Sequence, residues 1–303
     1  MRCAFLPAFA LTLFAMPAGA QAPAGIPGVV ARGVQPELVQ EGFLFTEGPV
    51  GTADGGLVFS DVGANKIYEL DPAGKITVLR GHTLGANGLA LNAGELYAAE
   101  GAGKLISRGN QGGLVATVLE SAGDHPLGAP NDILFDTKGG FFFTDPGTAP
   151  FLKDPPRHGT VYYVFSTGGR PPLLIDDKIA FPNGLTLTLD GKALLVDDTL
   201  GDTIWSYDIT PKGGLKKHAF ATFLQLTGSD GMAIDREGRV YVATDPGIQV
   251  FDKRGKYLGT IQTPRPPSNL AFSGPKKQTL YITAREGLYK LKMLSQGPER
   301  DGK

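Results

Sequence analysis

Apolar residues recur at every second position in short bursts along this chain, and the bursts come in sets. Six times a polar residue stands just ahead of an apolar run. The copies are Glu47-Gly48-Pro49-Val50, Asn87-Gly88-Leu89-Ala90, Asn131-Asp132-Ile133-Leu134, Asn183-Gly184-Leu185-Thr186, Asp230-Gly231-Met232-Ala233 and Asn269-Leu270-Ala271-Phe272. The lead residues are 40, 44, 52, 47 and 39 positions apart. Behind each run come a glycine-containing turn, a second alternating strand such as Phe141-Phe142-Phe143-Thr144-Asp145, and a third such as Thr160-Val161-Tyr162-Tyr163. A unit of about forty to fifty residues built from short strands and turns predicts one propeller blade. The fold class is therefore all-β, a six-bladed β-propeller. The first strand of each blade lines the central channel, so the six lead residues are expected in a ring at one mouth. Residues 23–40 are expected to end in an edge strand that closes the circle.

Composition narrows the picture. The chain has 303 residues, with 43 glycines and 23 prolines that suit many tight turns, and few windows carry a helical period. Residues 23–303 read as one propeller domain. Residues 1–22 read differently: Arg2, an apolar run from Phe5 to Met16 and the small residues Ala18-Gly19-Ala20 describe a secretory signal peptide. The protein is expected in the periplasm or outside the cell. The one cysteine, Cys3, lies in that leader, so the mature chain has neither disulfide nor thiol nucleophile. A formal net charge of −1 gives no electrostatic case for nucleic acid or an anionic membrane surface. The expected partner is a small-molecule substrate, with no obligate protein partner and no membrane once the leader is gone.

The ring decides what chemistry is open. Glu47 and Asp230 are carboxylates and the other four lead residues are amides. Hard oxygen donors of this kind suit one divalent cation, Ca²⁺ first, with Mg²⁺ or Mn²⁺ as alternatives. No histidine or cysteine belongs to the ring, which disfavours Zn²⁺ in its usual nitrogen and sulfur site while leaving it possible. Each Asn-Gly or Asp-Gly pair taken alone is equally an ordinary turn former. Recurrence at one place in each repeat is what favours a site. His125 and His82 lie on loops upstream of ring residues; His125 is carried as a pocket residue, against the alternative of a solvated loop histidine. The proline-rich stretch Pro146 to His158 reads as a lid or as a plain surface loop.

Together, Glu47-Gly48-Pro49, Ala129-Pro130-Asn131-Asp132, Phe143-Thr144-Asp145-Pro146, Phe181-Pro182-Asn183-Gly184-Leu185, Ser229-Asp230-Gly231-Met232 and Ser268-Asn269-Leu270-Ala271-Phe272 resemble the SMP-30/gluconolactonase/LRE-like family of six-bladed propellers. The resemblance implies a metal-binding Glu47, Asn183 and Asp230, and an Asn131 that binds metal or substrate. Two departures, Val50 after Glu-Gly-Pro and Leu127-Gly128 before Ala-Pro-Asn-Asp, leave the metal positions intact and bear on the substrate side. The activity implied is metal-dependent opening of a sugar-derived lactone, with the cation polarising the carbonyl. Asp230 would act as base, or as nucleophile in a variant mechanism, while Asn131, Asn87 and His125 contact the substrate. The alternatives are a promiscuous calcium-dependent esterase or phosphotriesterase on the same site, and a propeller that only binds.

Overall fold

The computed structural model describes residues 23–110, 115–147, 158–167, 169–209, 215–222 and 228–299. The expected leader, and residues 148–157 of the proline-rich loop, lie outside them.

The described chain opens with β1 (Glu37–Glu41). Blade one follows as β2 (Thr46–Gly51), β3 (Leu57–Asp61), β4 (Lys66–Leu70) and β5 (Ile76–Gly81). Blade two is β6 (Ala86–Asn92), β7 (Glu95–Glu100), β8 (Leu105–Gly109) and β9 (Val115–Leu119). A two-stranded hairpin, β10 (Ser121–Ala122) with β11 (His125–Pro126), leads into blade three. That blade is β12 (Ile133–Phe135), β13 (Phe141–Asp145), β14 (Gly159–Val164) and β15 (Leu173–Ile179). Blade four is β16 (Pro182–Leu187), β17 (Ala193–Asp198), β18 (Thr203–Ile209) and β19 (Leu215–Thr222). Blade five is β20 (Met232–Ile234), β21 (Val240–Thr244), β22 (Gly247–Phe251) and β23 (Tyr257–Ile261). Blade six has β24 (Asn269–Ser273), β25 (Thr279–Ala284) and β26 (Gly287–Lys292). Its fourth strand is β1, so the order there is β1-β26-β25-β24. All six four-stranded sheets are antiparallel, and the first five are meanders.

The expected closing strand is thus β1, which pairs Glu37 with Lys290 and Glu41 with Gly287. β1 covers the outer edge of β26 and so joins the start and the end of the described chain in one sheet.

The core is not one centre but six wedges, each between neighbouring blades. Val50, Val58 and Ile67 of blade one meet Leu89, Leu96 and Ala98 of blade two. Phe43, Phe59 and Leu70 meet Ala271 and Leu288 across the closing seam. The N-terminal Ile26, Val29 and Val30 join the wedge of blades five and six. Each fully buried side chain of this size contributes about 1.5–3 kcal/mol. Because the apolar faces are satisfied between blades, the axis of the ring is left to polar residues.

The hairpin turns at the far end from the lead residues are built by short acids. Asp136 accepts from the N–H groups of Lys138 (2.8 Å) and Gly140 (2.9 Å), and Asp190 from that of Lys192 (3.1 Å). These are Asx-type turns.

Candidate metal centre

The lead residues reach the channel through a local break in the ladder. In blades one, two and four the pairing of the inner strand shifts register between Glu47 and Val50, Ala86 and Leu89, and Pro182 and Leu185. A bulge at that point re-aims a side chain out of the sheet. In blades three and five the inner strand begins only after the lead residue.

The glycine that follows four of the leads is there for close approach. A Cβ on Gly48 would stand 2.0 Å from the carbonyl oxygen of Asn87, and one on Gly231 would stand 1.9 Å from the Asn269 side chain. The same abutments trace the circle. Gly88 N–H donates to the carbonyl of Asn131 (2.7 Å), and Thr144 Oγ1 donates to the carbonyl of Asn183 (2.7 Å). Gly184 lies against the carbonyl of Asp230. Asn269 Nδ2 donates to Glu47 Oε2 (3.0 Å) and completes the ring.

A second set of acids holds the loops that deliver the leads. The last residue of the second strand is a buried carboxylate in blades one to four: Asp61, Glu100, Asp145 and Asp198. Asp61 accepts from Leu44 and Phe45 N–H (3.0 and 2.9 Å), and Glu100 from Leu84 N–H (2.7 Å). Asp145 accepts from Gly128 and Ala129 (2.7 Å each), and Asp198 from Phe181 (2.9 Å). Each bond falls two or three residues ahead of Glu47, Asn87, Asn131 or Asn183. The acids act as braces and point away from cation chemistry. Glu100 also pairs with Arg80 of blade one and accepts from Ser107.

Within the ring, Glu47 is buried and its Oε2 also accepts from Gly48 N–H (2.6 Å), which fixes the carboxylate plane. Asn183 is buried, and its Nδ2 donates to Thr199 Oγ1 (2.9 Å), so its carbonyl oxygen is the end left to face elsewhere. Asn131 and Asn87 are half-buried. Asn87 Oδ1 is itself buried and accepts no hydrogen bond from the described residues. Asp230 is half-buried. Burial first, then the negative charges of Glu47, Asp197 and Asp132, push its carboxyl well above the ordinary carboxylate value, with Arg285 opposing in part.

Asp132 and Asp197 are the residues that sequence reasoning missed. Both are buried in the ring, where Asp132 Oδ1 accepts from Ile133 N–H (2.9 Å) and Asp197 Oδ1 from Gly184 N–H (3.1 Å). A signal for Asp197 existed. The residue before the brace is Ser60, Ala99 and Thr144 in blades one to three, but an acid in blade four.

His125 is exposed at the β10–β11 hairpin, where it pairs with Ala122, and it makes no hydrogen bond to a lead residue among the described residues. His82 is exposed too, at φ 56°.

The donor set fits a hard cation. Among the described residues no three His, Cys, Asp or Glu side chains converge on one point, so acids alone would not hold one. Two carboxylates with amide oxygens would, and the mutual repulsion at Asp230 is what a cation would relieve. A cavity of about 1140 Å³ opens at the other end of the propeller between turn residues such as Asp136 and Asp190, and none of the lead residues lines it.

Comparison with known proteins agrees with this geometry. A gluconolactonase from Zymomonas mobilis is 27% identical over 294 residues, covering 86% of this chain and 82% of its own length. The solved structure of a gluconolactonase from Xanthomonas campestris superposes with a TM-score of 0.80 at 27% identity, covering 92% of this chain and 98% of that one. The lactonase drp35 of Staphylococcus aureus is 34% identical over 140 residues, 44% of this chain and 42% of its own length. Residues 45–286 match the family described as SMP-30/gluconolactonase/LRE-like region, and the chain belongs to that family.

Proposed function

We propose that this protein is a divalent-cation-dependent hydrolase that opens a lactone ring, with a sugar-derived aldonolactone as substrate and Ca²⁺ as the cation. The observation that carries the reading is the closed ring itself. It brings Glu47 and Asp230 into each other's field beside amide oxygens at one mouth. The gluconolactonase and lactonase relatives support the reaction class.

In this reading Glu47, Asn131, Asn183 and Asp230 hold the cation. When bound, it supplies Lewis-acid polarisation of the lactone carbonyl. The rest falls to the chain. Asp230 takes the proton from the attacking water as general base. Glu47 stays fixed by Gly48 and Asn269 and keeps the ring in register. Asn87 Oδ1, which has no donor among the described residues, accepts a hydrogen bond from a substrate hydroxyl.

The test is hydrolysis of a panel of lactones and simple esters by chelator-treated protein, with and without Ca²⁺, in wild type and Asp230→Ala. Calcium-restored lactone opening that Asp230→Ala abolishes is the expected result. Turnover of esters alone would move the assignment to an esterase, and no turnover with calcium bound would leave a binding protein.

A further inference from the structure

The guanidinium of Arg285, beside the loops that lead to Glu47 and Asp230, donates no hydrogen bond among the described residues. Arg285 lies in the hairpin turn between β25 and β26, closed by the pairing of Ala284 with Gly287. It sits at φ 55°, a left-handed conformation that a long side chain seldom adopts. Two bonds hold it there: Thr46 N–H (2.8 Å) and Thr46 Oγ1 (3.0 Å) both donate to its carbonyl oxygen. Thr46 is the residue before Glu47, so the turn is tied directly to the ring.

The guanidinium then spans the two loops that deliver the two carboxylates. Its carbon lies 5.3 Å from the ring centroid of Phe45, two residues ahead of Glu47. One of its nitrogens is 3.9 Å from Asp245, and Asp245 lies against Gly228, two residues ahead of Asp230. Asp245 is thus an electrostatic neighbour but too distant for a hydrogen bond. Among the described residues the guanidinium donates no hydrogen bond, and the side chain is about half exposed, 44%. Arg265 on the same side is different: it is already held by Glu41 (3.0 Å) and Glu286 (3.2 Å). A planar fork of five N–H donors, stacked on an aromatic ring and left open, is the arrangement that takes a carboxylate with two parallel bonds.

We propose that Arg285 is a specificity-determining residue that binds a carboxylate carried by the substrate away from its reacting carbonyl. The preferred substrates are then lactones of sugar di-acids rather than of neutral aldonic acids. This rests on the lactone-hydrolase reading above. The charge of Arg285 already reaches the ring, where it offsets part of the repulsion felt by Asp230.

The test uses two lactones that differ only at the far end, CH₂OH in one and a carboxylate in the other. Wild type, Arg285→Gln and Arg285→Lys are compared in calcium-loaded form. Wild type should favour the acid lactone in kcat/KM by about tenfold, equivalent to about 1.4 kcal/mol, and chiefly through KM. The preference should fall to about one in Arg285→Gln and recover in part in Arg285→Lys. A preference that is absent in wild type, or that survives in Arg285→Gln even if both rates fall, overturns the proposal. Calorimetry separates it from the reaction itself. The open-chain di-acid should bind wild type about tenfold tighter than the open-chain mono-acid, and Arg285→Gln should erase the difference. If no lactone turns over but that difference is seen, the hydrolase reading fails and the Arg285 site stands; equal binding, or none, removes the site.

Discussion

In the cation-free protein, Asp230 is a carboxylate among carboxylates. Its usual value is 3.8, and burial with Glu47, Asp197 and Asp132 nearby raises it in the folded state. The folded chain therefore holds its proton to higher pH than the unfolded chain, and stability on this account falls as pH rises from about 4 through the raised value. Asp230→Asn removes that charge. In chelator at pH 8 the variant should melt a few degrees above wild type, and the gap should close as the pH is lowered to 4. Added Ca²⁺ should raise the wild-type melting temperature and not the variant's. A variant that melts below wild type at pH 8 in chelator would contradict this. Asn87→Ala follows a similar logic. Its Oδ1 is orphaned, so the truncation should be neutral or stabilising by about 0–1 kcal/mol in the cation-free protein while kcat/KM falls; denaturant midpoints and kinetics read the two effects. The lead residues were legible because six copies of one phrase could be laid over each other. Asp132 and Asp197 were not, because their role depends on which face of a strand meets the axis. His125 is exposed on its hairpin, and nearness in sequence to Asn131 does not by itself bring a side chain to the ring.

Among elements, the same residue type does opposite work at the two ends of a blade. Asp145 is buried and anchors the loop before Asn131 with two 2.7 Å bonds. Asp54 is exposed and shapes an outer turn through Thr52 and Gly56. Asp145→Ala should cost about 2–4 kcal/mol in urea unfolding, since it strips charge-assisted bonds and strands buried N–H groups. Asp54→Ala should cost under about 1 kcal/mol. Equal losses would mean the braces hold nothing that the turns do not. The strands themselves were readable from period-two alternation. The braces were visible as acids ending the second strand, but only the hydrogen bonds show that they serve the loop before the ring and not a ligand.

For the whole molecule, the ring is as strong as its seam. Deleting residues 23–41 would remove β1 and the segment of Ile26, Val29 and Val30 that packs between blades five and six. The expected outcome is loss of a single cooperative melt by circular dichroism, together with association through the exposed edge of β26. A deletion that melts like wild type would show that three strands suffice to close blade six. The closing strand was foreseen at the end of the lead-in rich in Pro, Gly and Val, residues 23–40. The wedge-like core was not, because hydrophobic alternation marks which residues are buried without saying which neighbour buries them.

The seam also sets an order of events in time. Glu37 finds its partner in Lys290 and Glu41 in Gly287, nearly the full length of the chain away. Each other blade can pair its own strands as soon as they have been made. The first strand must wait, unpartnered, until the last hairpin is complete. Contacts of such long sequence separation are slow to form. Folding should therefore show five early local steps and one late closure, and the site that spans blades one, five and six, where Glu47, Asp230 and Arg285 stand, comes into being only with that final step.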